Sequence, residues 1–101
     1  MAEESLADRY LLEKRARIDA FDRAILEIVA RRRALVAELF IAKRRHNLPL
    51  IDPARESALL ADRRALAERL GVPPDLAERL FQAILDSSHA EAAAATANDD
   101  T

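Results

Sequence analysis

The chain has no cysteine, and that absence removes disulfides, thiolate metal sites and cysteine nucleophiles together. It has one glycine in 101 residues, so a glycine-rich phosphate loop cannot be built. The regularly spaced turn signals of a barrel or sandwich are missing too, since the strong breakers are four prolines and that glycine. No large excess of one charge sign exists: the formal net charge of −2 gives no global pull toward nucleic acid or an acidic membrane. No run approaches about eighteen consecutive apolar residues, and the acidic, polar opening from Met1 to Asp8 lacks the apolar core of a secretory signal. The expectation is a soluble, cytoplasmic protein with no membrane or nucleic-acid partner.

What remains is material for helices. Hydrophobic residues make up 50 % of the chain and charged ones 34 %, with Ala, Leu, Arg and Glu dominant. A single small all-α domain follows. From about Ser5 to about His46 there is neither proline nor glycine, and the apolar residues keep a seven-residue rhythm. Leu11, Ile18, Ile25 and Leu39 form one series with one position skipped, and Phe21, Ile28, Leu35 and Ala42 form another. A helix of that length is a rod of roughly 60 Å, whereas a compact domain of this size has a radius of gyration near ~13 Å. One chain cannot cover such a seam, so association, most simply as a homodimer, follows from length.

Two breaker clusters divide the rest. Asn47-Leu48-Pro49-Leu50-Ile51 ends the first helix, and Asp52-Pro53 reads as an N-cap followed by proline in the first helical position. The second helix runs from Pro53 to about Leu70 and stops at Gly71, where a left-handed residue is wanted. After Val72-Pro73-Pro74, a third helix runs from about Asp75 to Ser88 or slightly beyond, with Leu76, Leu80, Phe81, Ile84 and Leu85 on its apolar side. Residues 1–90 then form the helical domain, and the Ala-rich residues 91–101 a flexible tail that frays.

The informative residues are polar ones at apolar positions. Arg32 fills the skipped seam position, which leaves two readings: it meets an anion, or it forms an internal salt bridge that sets the register. Lys43 follows eleven residues later, only about 20° around the helix and roughly 16 Å along it, so the two cations share a face. Arg15 lies roughly 25 Å from Arg32 along the same helix, too far to share a ligand, but Arg15 of the partner subunit is available in a crossed dimer. Of the 16 basic residues only Lys14 and Lys43 are lysine, and arginine's planar fork suits carboxylates. Asp52, Arg55 and Glu56 stand in the first turn of the second helix, either as cap and solvated charges or as part of an anion-attracting end. Ser88 places a hydroxyl at the end of the third helix's apolar face, where serine is also a common stop. The basic runs Arg31-Arg32-Arg33 and Lys43-Arg44-Arg45 lack aromatic interleaving, and His46 and His89 read as isolated, with no ligand partners at metal spacing. No metal or cofactor is expected.

The stretches Arg15-Ala16-Arg17-Ile18-Asp19-Ala20-Phe21-Asp22, Arg31-Arg32-Arg33, Ala42-Lys43, Leu48 to Glu56 and Leu80-Phe81-Gln82-Ala83-Ile84, in that order and spacing, resemble the all-helical class of chorismate mutases. These are short three-helix enzymes, also found fused to prephenate dehydratase, and the resemblance covers about Leu12 to Ser88. It implies three helices, one long and two shorter, in an intertwined homodimeric bundle, and the rearrangement of chorismate to prephenate on the route to phenylalanine and tyrosine. It further implies that Arg32 and Arg15 of the partner subunit bind the two carboxylates, with Arg55 beside them and Ser88 supporting one. Lys43 then donates to the ether oxygen of the breaking bond, while Asp52 and Glu56 hold the ring hydroxyl. The step is concerted and needs neither nucleophile nor cofactor.

One position departs from the pattern. One turn after the serine the family carries a glutamine or a protonated glutamate that donates to the ether oxygen, and here Ala92 stands there. Losing one such donor typically costs about 100- to 1000-fold in rate. Glu91 is about 100° away around the helix and needs a local bulge to substitute. Ala92 therefore keeps alternatives in play: a partner enzyme that completes the site, an isochorismate-pyruvate lyase or aminodeoxychorismate mutase on the same scaffold, or a weakly active or non-catalytic dimeric module.

Overall fold

A computed structural model describes residues 5–99, so the expectations for residues 1–4 and 100–101 lie outside the described residues. The described residues form three helices and no strand: α1 (Leu6–Arg45), α2 (Pro53–Leu70) and α3 (Pro74–Asp99). None of these helices is long and apolar enough to cross a membrane. The chain divides into two units, one ending at Leu35 and the other beginning at Val36.

The first unit is the long opening stretch of α1. Its start is fixed by a reciprocal cap: the Ser5 hydroxyl accepts from the Asp8 amide at 3.0 Å, and the Asp8 carboxylate accepts from the Ser5 amide at 3.4 Å. Lys14 lies over the Tyr10 ring one turn earlier, 5.1 Å from its centre. The apolar seam is real but uncovered. Phe21 is 65 % exposed and Leu35 66 %, and Leu11, Ile18, Ile25 and Ile28 are exposed with them.

The second unit holds the end of α1 and the antiparallel pair α2 and α3, which pack against each other. α1 ends on Asn47, whose φ of 56° is left-handed, and the Leu48 amide donates back to the Lys43 carbonyl at 2.8 Å. Asparagine tolerates that conformation better than most residues and does here what glycine usually does. Gly71 closes α2 the same way, with φ of 75° and the Val72 amide donating to the Ala67 carbonyl at 2.8 Å. Between the two caps, extended Asp52 accepts from the Arg55 amide at 3.1 Å and Pro53 opens α2, as the sequence indicates.

The buried residues all belong to this unit: Phe40 near the end of α1, Leu59 and Ala67 on α2, and Ala77, Leu85 and Ala92 on α3. Each large side chain among them contributes about 1.5–3 kcal/mol relative to exposure, and the alanines let the helix axes approach closely. Polar clamps join α2 to α3 near the turn. Arg64 donates to Asp75 at 2.8 Å and to Glu78 at 3.0 Å, and the Arg63 guanidinium lies 5.4 Å from the centre of the Phe81 ring.

The third helix is longer than the sequence reading made it. It does not end near Ser88 but continues to Asp99. The Ser88 hydroxyl donates to the Ile84 carbonyl at 3.2 Å, and that of Thr96 to the Ala92 carbonyl at 3.0 Å, so both fold back onto the helix and neither terminates it. No glycine or proline follows Pro74, and alanine, the strongest helix former, carries the helix onward.

Candidate functional site

The candidate residues fall on both units. Arg15, exposed, and Arg32, half-buried, stand on the first; Lys43, Asp52, Arg55, Glu56 and Ser88 stand on the second. Seventeen residues of helix separate the two arginines, a rise of roughly 25 Å, so within one copy of the first unit they cannot meet on one small ligand.

In the second unit the loop between α1 and α2 does the positioning. The left-handed turn at Asn47 sends the chain back, and the Leu50 carbonyl accepts from the Lys43 ammonium at 3.1 Å. That contact holds a long, flexible side chain while leaving two of its N–H donors for something else. Lys43 is half-buried, a setting in which a cation acts more strongly on a neighbouring anion than it does in open water. Asp52 spends one carboxylate oxygen on the Arg55 amide, and the Arg55 side chain is exposed. The Glu56 amide donates to the Asp52 carbonyl at 3.0 Å, which sets Glu56 in the first turn of α2, where the helix dipole favours its negative charge.

Glu56 does not stand alone. His89 of α3 brings Nε2 to 2.8 Å from both of its carboxylate oxygens. The side chains are 22 % exposed for Glu56 and 38 % for His89, so the pair is half-buried. This corrects the reading of His89 as isolated. A weak signal for it exists in the sequence: His89 and Glu56 are nearly equidistant from the turn at Gly71, and two antiparallel helices bring such positions level.

Ser88 adjoins His89 but turns its hydroxyl to the Ile84 carbonyl, leaving its lone pairs as acceptors. Ala92, one turn further, is 3 % exposed. The helix is α-helical throughout Pro74–Asp99, so no bulge rotates Glu91 toward the place of Ala92. The second unit thus offers a held cation, a held carboxylate, an exposed arginine and a helix N-terminus.

Residues 14–92 match the family model described as chorismate mutase type II. Among curated proteins, a T-protein from Enterobacter agglomerans is 45 % identical over 75 residues, covering 74 % of this chain and 20 % of that protein. A bifunctional chorismate mutase/prephenate dehydratase from the same organism is 35 % identical over 81 residues, covering 80 % of this chain and 21 % of its own length. A chorismate mutase from Methanocaldococcus jannaschii is 29 % identical over 80 residues, covering 79 % of this chain and 81 % of that one. The chain therefore spans about a fifth of the length of the first two relatives and most of the third.

Proposed function

The chain belongs to the chorismate mutase type II family, and from that premise we propose that it rearranges chorismate to prephenate as a homodimer. The observation that carries the reading is that the family match runs through every candidate residue, from Arg15 to Ser88. The reaction breaks the ether C–O bond as a C–C bond forms, with no atom gained or lost. The protein's work is to hold the substrate's folded conformer and to meet the negative charge that grows on the ether oxygen.

In this reading Arg32 and Arg15 of the partner subunit bind the two carboxylates, with Arg55 beside them and Ser88 supporting one. Lys43, held by the Leu50 carbonyl, directs a remaining N–H at the ether oxygen. Asp52 and Glu56 hold the ring hydroxyl. The uncovered seam of the first unit supports a second copy as its cover, since large exposed apolar surface is rare on a solitary chain.

Ala92 favours the second reading, a sibling reaction on the same scaffold or a non-catalytic dimeric module, because a buried alanine side chain offers no donor. The test is chorismate consumption by the purified protein with the product identified. Prephenate is the expected product, pyruvate release marks a lyase, and no turnover at all overturns the mutase reading. Ala92→Gln belongs in the same assay. If one donor is what limits the rate, it accelerates turnover by about 10-fold or more; the larger side chain in a packed site costs about 1–3 kcal/mol, read by thermal unfolding.

A further inference from the structure

We propose that His89 is a positioning residue for this reaction, holding the Glu56 carboxylate in the place where it accepts the substrate's ring hydroxyl. The inference rests on the mutase reading and on a contact that reading does not use. His89 Nε2 lies 2.8 Å from Oε1 and 2.8 Å from Oε2, a symmetric approach to the two oxygens. An ionised carboxylate has no proton to give, so the nitrogen facing it is the donor. One N–H shared between both oxygens holds the carboxylate in place against α3 and leaves each oxygen further lone pairs to accept with.

That donor matters because Glu56 is a long side chain. Its side chain stands in the first turn of α2, and a glutamate is among the side chains with most rotamer freedom to lose. His89 reaches it from α3, the helix that also carries Ser88 and Ala92. The imidazole therefore ties the hydroxyl-binding carboxylate to the other helix of the hairpin, with the pair half-buried.

The ring hydroxyl takes no part in the bond changes, so its contact with Glu56 is nearly equal in the bound substrate and in the transition state. Losing an equal contact raises KM and leaves kcat nearly unchanged. His89→Leu should therefore raise KM for chorismate about 10-fold with kcat within about 3-fold of the parent. His89→Gln, whose amide restores an N–H donor at similar reach, should return KM to within about 3-fold. A merely structural role gives a different pattern, because a smaller folded fraction lowers the apparent kcat and does not move KM.

Parent turnover with an unchanged KM in His89→Leu overturns the proposal and leaves the mutase reading standing. A raised KM that His89→Gln fails to restore overturns it as well. A parent protein that does not convert chorismate removes the mutase reading, and this one with it. If His89→Leu does not fold, His89→Ala makes the same comparison, since alanine keeps helix propensity high.

Discussion

The two units spend their hydrophobic residues in opposite ways. In the second, Leu59, Ala67, Ala77 and Leu85 turn inward, and Arg64 and Arg63 clamp the hairpin across its turn. In the first, residues of the same apolar character keep strict heptad time and face water. Amphipathic pattern and self-burial are therefore separate properties. A helical hairpin offers each apolar stripe a facing stripe, whereas the first unit is a single helical stretch and has none within itself. In the homodimer proposed above, a helix of a second copy covers that stripe, and a seven-residue rhythm is the pattern such a helix-on-helix seam requires.

The strongest way to break the contrast is to charge the seam. Ile25 is exposed, so Ile25→Glu asks nothing difficult of the single chain. In the proposed homodimer it buries a carboxylate without a partner, a penalty of several kcal/mol. Sedimentation should show association weakened by at least about 100-fold, with chorismate turnover lost alongside it. A variant that associates as tightly as the parent would mean that the seam is not the interface.

A second experiment asks whether the first unit carries its arginine to another copy's site. Arg15→Ala and Arg32→Ala should each lower turnover by at least about 100-fold on its own. If each site takes Arg32 from one chain and Arg15 from the partner, a mixed dimer of the two variants contains one intact site and one doubly damaged site. Half of the dimers in an equal, fully exchanged mixture are of that kind, so roughly a quarter of the parent's turnover should return. If both arginines served the same chain's site, no mixture would recover anything.

The same contrast accounts for what was legible beforehand. Gly71 and Asp52-Pro53 announced their caps because each acts through its own backbone, and the heptads announced the long helix because a period needs no partner to be visible. Asn47 was seen as a breaker but not as a left-handed cap, since asparagine signals turns of many kinds. Ser88 resembled a stop, and only its hydrogen bond to Ile84 shows that the helix absorbs it. Among the contacts that escaped reading were His89 with Glu56 and Arg64 with Asp75 and Glu78. These cross the hairpin, so they exist only after two helices have chosen their faces. The candidate residues could be named where they follow the family's spacing, whereas the contacts by which this chain holds them could not.

The clamp offers the finest test of the self-sufficient half. The hydrogen bond from Arg64, and then its charge, hold the Asp75 carboxyl below its ordinary value, while the Arg64 guanidinium is raised above its own, chiefly by the same hydrogen bond. A carboxyl whose folded value is depressed stabilises the fold above its ordinary value, and that contribution is lost as pH falls through the folded value. Arg64 stays charged throughout the acid range, so the loss is governed by Asp75. Both side chains are well exposed, at 39 % and 82 %, and Asp75→Asn leaves Arg64 its contact with Glu78 at 3.0 Å, so the effect is small. Asp75→Asn should therefore unfold at a slightly lower temperature than the parent at about pH 7, and the gap should close by about pH 2, where the parent's own carboxylate is protonated. A gap that persisted in acid would mean that Asp75 stabilises the start of α3 by its shape or its backbone, and not by its charge against Arg64.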